Sequence, residues 1–413
     1  MFPVIRTIVL SVLTGLASLS HAAPLSFTTA LDLAERQSPK LAANAAAIAA
    51  TRAAAIPAGA LPDPRLLAGI DNFPISGPAA GRLQADFMTM QRIGVMQELP
   101  HTEKRRARQG VAAAAIDVAN ARQRIDRLGV RRDTALAWLD LYYFQRKVSL
   151  IDDLEHENAL LAQVVLSQIA SGRAQAADAV APKQEAAQLA DRRDDLSRDL
   201  AQASAKLRQL VGLSTIDGLA DDPPALAIDA QHLRGHLQRH PELLAFSAES
   251  RRAEAEVAEA RSLKKVDWGV ELVYQRRAPQ FGDMVSVQFT FDLPVSPATR
   301  QDPVVAAKRR ELERLDALRE SLVRDHTVEL EGLLAEHAAL TRQLERARQT
   351  ALPLAEQKVS LQTASYQAGK VDLSAVLAAR RDRIEQRLRV VELEGGRARV
   401  AARLHYAYGE DEP

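Results

Sequence analysis

Cysteine is missing from all 413 residues. Its absence excludes disulfides, thiolate metal sites, a cysteine nucleophile and an N-terminal lipid-modified cysteine. Aromatic residues are scarce, and the formal net charge is only +1. That balance gives no reason to expect nucleic acid or a strongly acidic partner. There is no phosphate-cradling glycine-rich loop and no clustered nucleophile and base, so nothing points to an enzyme or a cofactor. Carboxylates such as Asp191, Asp194 and Asp195 alternate with Arg192 and Arg193 and read as a solvated helix face. Beyond the N-terminus, no run approaches the ~20 apolar residues of a transmembrane helix.

The N-terminus reads as an address. Arg6 precedes an apolar run from Ile8 to Leu19, and Ser20-His21-Ala22 gives a small-x-small cleavage pattern. Residues 1–22 therefore read as a secretory signal peptide. An exported Gram-negative protein without a membrane helix is periplasmic, secreted or an outer-membrane β-barrel.

What the chain does contain is long helix, interrupted twice by strand pairs. Val285, Val287, Phe289, Phe291 and Leu293 alternate with Ser286, Gln288, Thr290 and Asp292, the period of a strand with one apolar and one polar face. Further strands are expected over about 65–73, 86–99 and 267–276. A helical hairpin over 102–211 turns at Gly172, with Thr102 as its cap. A second hairpin over 303–408 turns at Gly369, opens on the Asp302-Pro303 cap and kinks at Pro353. Four landmarks recur in order: Ser38-Pro39 and His240-Pro241, Leu99-Pro100 and Leu293-Pro294, Gly172 and Gly369, Gly212 and Gly409. The spacing predicts an internal duplication, with repeats at 23–212 and 230–409, a link at 213–229 and a tail at 410–413.

Two strands per half give four per chain. Open strand edges are not tolerated in lipid, and single-chain barrels have at least eight strands. Closure therefore requires several chains, and three copies would give twelve strands. Trp268 and Tyr274 suit interfacial aromatic girdles. A coiled-coil rod would account for 102–210 but not for the strand pairs.

Met96-Gln97-Glu98-Leu99-Pro100 with Lys104-Arg105, and Leu293-Pro294 through Arg300-Gln301-Asp302-Pro303, resemble the strand-to-helix junctions of the TolC-type outer-membrane efflux family. Leu352-Pro353-Leu354-Ala355-Glu356 and Tyr366-Gln367-Ala368-Gly369-Lys370-Val371-Asp372-Leu373 are closest to its CzcC-like heavy-metal branch. The resemblance implies a mainly α chain with a small β part. Long α-helical hairpins form a periplasmic tube, and four strands per chain build a trimeric twelve-stranded barrel in the outer membrane. It also implies a homotrimer, a periplasmic membrane-fusion adaptor and an inner-membrane proton-driven pump of the resistance–nodulation–division type. The expected function is a passive exit duct for cobalt-, zinc- or cadmium-type cations. The alternatives are the same duct for drugs or type I secreted cargo, and a periplasmic coiled-coil adaptor or scaffold.

Candidate site residues follow from both readings. His232, His236 and His240 stand at i, i+4 and i+8 and would share one helix face as weak metal-ligand candidates. At the hairpin tip the resemblance implies a ring of carboxylates after the second turn, but the matching positions are Ala375 and Ala378. Asp178 and Asp372 are the remaining acids for a pore constriction, with Arg173 and Lys370 as neighbouring donors.

Overall fold

The computed structural model describes residues 24–172 and 174–409. The signal-peptide reading over 1–22, the gate candidate Arg173 and the tail at 410–413 lie outside the described residues. The first helix, α1 (Phe27–Gln37), opens on Ser26, whose hydroxyl accepts from the Thr29 N–H at 3.1 Å. Ser38 both ends α1 and caps α2 (Pro39–Ala55), where Pro39 fits the first turn because its missing N–H would have no partner there anyway. Strands β1 (Arg65–Asp71) and β2 (Met90–Leu99) follow, then the long helix α3 (Thr102–Ala170) and α4 (Val180–Val211). The order then recurs with α5 (Ala230–His236), α6 (Pro241–Ser262), β3 (Asp267–Arg276) and β4 (Met284–Asp292). It closes with α7 (Gln301–Arg346), α8 (Leu352–Gln367) and α9 (Leu373–Tyr408).

Several boundaries differ from the sequence expectation for identifiable reasons. β1 stops at Asp71 because Asn72 takes a left-handed φ of 52°, which breaks an extended run. β2 begins at Met90 rather than at 86, because the Asp86 carboxylate accepts from the Met88 N–H at 2.7 Å and holds a turn. Leu293 lies one residue past β4. Thr102 does not cap α3; the Nδ1 of His101 accepts from the Glu103 N–H at 3.2 Å instead. Asp302 does not cap α7 either, since its carboxylate pairs with Lys264 in the turn just past α6. At Pro353 the helix widens into a π turn over Ala347–Ala351, which relieves the clash between the proline ring and the carbonyl one turn back.

One helix among the described residues, Pro39–Gly59, is long and apolar enough to cross a membrane by length and composition, against the expectation of none. Alanine supplies that apolarity. The segment packs along α3, where Lys40 and Asn44 both bind the Asp126 carboxylate at 2.5 and 2.8 Å.

The 69 residues of α3 make a rod of roughly 100 Å at ~1.5 Å per residue. Against it lie α2, α4, α6 and α9, while α7 and α8 pack on α9. The largest core lies midway along the helices. Trp138 is 0% exposed, with Phe27 edge-on at 5.3 Å and Tyr142 stacked at 5.6 Å. Its indole N–H donates to the Leu25 carbonyl at 3.2 Å, which removes the cost of burying a polar atom. Smaller clusters staple the hairpins further along, such as Ile151, Leu154, Leu189 and Ile384. Between them, ion pairs knit helix to helix. Glu394 on α9 is nearly buried and receives Arg146 of α3 at 2.8 Å and Arg348 of the π turn at 2.5 Å.

The four strands form one antiparallel sheet in the order β1-β2-β3-β4. The middle pairing joins the two halves of the chain, with Ile93 opposite Tyr274 and Leu99 opposite Trp268. Among the described residues, β1 and β4 each leave one edge unpaired.

Candidate functional site

The register puts an apolar surface on one face of this sheet, interrupted by Gln97 of β2 opposite Val270. Phe291, Phe289, Val287 and Val285 of β4 stand opposite Trp268, Val270, Leu272 and Tyr274 of β3. Those continue across Val95 and Ile93 of β2 to Leu66 and Ala68 of β1. Apart from the half-buried Val270, the large side chains named here are between 42% and 72% exposed. The expected residues Val285, Val287, Phe289 and Phe291 therefore share one exposed face, and Leu293 is exposed just past the strand end. The sequence reading missed the contribution of Leu66 and Ile70, because β1 is short and its alternation is broken by Leu67 and Gly69.

The opposite face is polar. Arg65 pairs with Glu98 at 2.8 Å and Arg92 faces Asp71 at 3.5 Å, while Ser286 donates to Gln275 at 3.2 Å. This face also carries Gly94, where a Cβ would lie 2.7 Å from the Leu272 carbonyl oxygen; a side chain there would force β2 and β3 apart. Exposed apolar area of this extent is stable only against an apolar partner or solvent. Trp268 stands near the helical end of the face and Tyr274 near the loop end, ~20 Å apart at ~3.3 Å per residue. The loops beyond the strands touch through Phe87 and Phe281, with ring centroids 6.4 Å apart.

The sheet is locked to the helices at one junction. The Lys104 ammonium of α3 binds Asp267 Oδ2 at 2.6 Å, and the His101 N–H donates to Asp267 Oδ1 at 2.8 Å. Lys104 belongs to the sequence motif after β2, and its partner begins β3, a connection that only the fold reveals.

At the far end, the two hairpin turns lie side by side. Gly172 and Gly369 adopt φ of 72° and 70°, the left-handed region that a side chain disfavours. Val165, Leu373 and Val376 pack between them, and Tyr366 Oη donates to Gln168 Oε1 at 2.6 Å. Burial raises the Tyr366 phenol pKa, and the charge of Asp178 adds to that. Asp178 sits in a short 3-10 turn, Ala176–Ala179, where its Oδ2 accepts from the Gln175 N–H at 2.9 Å. Asp372 precedes α9 without a side-chain cap bond, and both it and Lys370 are exposed.

The three histidines do not share one helix face. α5 ends at His236, a 3-10 turn follows over Leu237–Arg239, and His240 caps α6. Pro241 causes the break, since the residue before a proline is pushed out of the helical region. His232 and His236 stack at 4.0 Å. His240 turns away to His326 of α7, with ring centroids 3.8 Å apart, and to Glu242 and Tyr408. Burial lowers the His240 imidazole pKa to about 4, with the His326 charge adding to it. His326 is far away in sequence and carries no local signal of this contact.

Long helical hairpins beneath a four-stranded antiparallel sheet recur in solved structures of outer-membrane channels. Among solved structures, a membrane protein from Pseudomonas aeruginosa matches at TM-score 0.80 and 16% identity, covering 93% of this chain and 90% of that one. CusC, described in terms of folding and transmembrane channel formation, matches at TM-score 0.77 and 16% identity over 93% and 92% of the two chains. The outer membrane protein VceC of Vibrio cholerae matches at 0.76 and 17% over 93% and 96%. No protein-family profile and no curated protein sequence matches the chain.

Proposed function

We propose that this chain is the outer-membrane channel of a tripartite efflux system, a passive duct rather than an enzyme. The observation that carries the reading is the exposed apolar face of a sheet whose two outer edges have no partner among the described residues. Strands of 9 and 10 residues suit a tilted span of the bilayer core, and the apolar band between Trp268 and Tyr274 suits aromatic girdles at its borders. Edges in lipid must be paired, so β4 of one copy joins β1 of the next, and three copies close a twelve-stranded barrel. The polar face then lines water, and the helices continue the lumen into the periplasm. The repeats at 23–212 and 230–409 each supply two strands and one hairpin. The partners are a periplasmic adaptor and an inner-membrane proton-driven pump.

The cargo follows from the motifs around Leu352-Pro353 and Tyr366 to Leu373, which resemble the heavy-metal branch; we assign cobalt-, zinc- or cadmium-type cations. The gate lies at the tip, where Asp178 and Asp372 would form carboxylate rings with Lys370 and Arg173 as donors. Growth inhibition of a deletion strain, metal by metal and drug by drug with complementation, tests the cargo. Sensitivity to metals alone is expected; sensitivity to drugs alone would contradict the metal assignment and leave the duct intact.

A further inference from the structure

The cluster where α6, α7 and the end of α9 meet has no part in conduction as proposed above. His240 and His326 are 8% and 7% exposed. Glu242 Oε2 lies 3.2 Å from His326 Nε2, and one ligand atom from each of His240, Glu242 and His326 lies within 4.8 Å of the others. We propose that these three residues bind a single divalent transition-metal ion of the zinc class, which ties the start of α6 to the middle of α7. The site concerns a resident ion and stands whether the duct carries metals or drugs.

The geometry favours such an ion. Nitrogen and oxygen ligands at ~2.0–2.1 Å around a tetrahedral centre stand about 3.3 Å apart, a spacing that Glu242 and His326 already have. His326 is also oriented from behind: its Nδ1 faces Tyr408 Oη at 3.2 Å and Glu329 Oε2 at 3.5 Å. Tyr408 Oη in turn donates to Glu329 at 3.1 Å. A proton held on Nδ1 by these oxygens leaves the Nε2 lone pair aimed at Glu242, the carboxylate–histidine–metal arrangement. Two imidazoles and one carboxylate suit zinc or cobalt and are poor for calcium, which takes six to eight oxygens. Three protein ligands leave the fourth position to water, which reaches the site past the half-exposed Glu242 side chain. Binding exchanges one bond. Whichever ring nitrogen of His240 holds the ion, the neutral ring can no longer accept from the Glu242 N–H, so that 3.3 Å capping bond is lost.

The test uses the untagged full-length chain, purified in detergent, stripped with EDTA and titrated with cobalt(II). The expected result is the intense visible absorption of four-coordinate cobalt, saturating at one ion per chain and abolished by zinc(II). His326→Gln and His240→Asn should remove it. Glu329→Gln keeps all three ligands and acts through His326, and should weaken cobalt affinity about 10-fold. If the histidine variants fail to assemble, the wild-type stoichiometry and the Glu329→Gln shift decide the matter. Only the weak band of aqueous cobalt with the wild type, or undiminished absorption in both histidine variants, would overturn the site.

Discussion

Trp138 shows what a single side chain contributes to this fold. It is fully buried where α1, α3 and the Leu25 backbone converge, so Trp138→Ala should destabilise the chain by ~3–5 kcal/mol. The shift in the chemical-denaturation midpoint measures it; a shift equal to that of an exposed control such as Leu361→Ala would show that this core is not what holds the helices. On the sheet, Phe289→Arg should cost ~2–4 kcal/mol if that position meets the bilayer midplane, whereas Gln288→Arg on the other face should be mild. Assembly yield in outer membranes reads the difference, and equal losses at both positions would reverse the assignment of faces. At this scale the sequence was legible wherever one residue's neighbours are local. The alternation from Val285 to Phe291 declares its two faces because period-two geometry needs only the strand itself. His326, Glu329 and Tyr408 were illegible, because α7 and α9 bring them to His240 from distant parts of the chain. The caps misled for the same reason: Asp302 has the right chemistry for an N-cap, but Lys264 on the neighbouring segment takes its carboxylate.

The elements carry a second set of expectations. Helix hairpins turn at Gly172 and Gly369 because a left-handed residue ends α3 and α8 and lets the chain reverse. A side chain there costs roughly 1–3 kcal/mol of local strain. Gly369→Val should therefore loosen the tip without unfolding the body, visible as faster amide exchange near Tyr366 and unchanged exchange around Trp138. Uniformly accelerated exchange would show that the turn governs the whole hairpin. Asp178 lies beside that turn, and its carboxylate is engaged by the Gln175 N–H. Asp178→Ala should lower cation preference in planar-bilayer recordings and weaken block by multivalent cations, while trimer yield stays unchanged. An unaltered reversal potential under a salt gradient, together with unaltered block, removes Asp178 from the gate. Helix length was readable from the scarcity of breakers between Thr102 and Ser171. The π turn before Pro353 was not, since a proline announces a disturbance but not the register the helix adopts to absorb it.

The whole molecule poses the question of closure. Among the described residues of one chain the sheet presents an apolar face and a polar face, with β1 and β4 open at its edges. That combination is untenable for a lone chain, because lipid leaves edge N–H and C=O groups unpaired and water is a poor solvent for the apolar face. A copy number of three is an expectation that rests on this arithmetic of strands. The pairing of β2 with β3, which fuses the two halves into one sheet, came from the structure. The measurement that bears most directly on the account is native mass spectrometry of the detergent-purified chain, with infrared spectroscopy to report its strand content. The account predicts particles of three chains with the sheet intact. A folded single chain that keeps its four strands in detergent would contradict it.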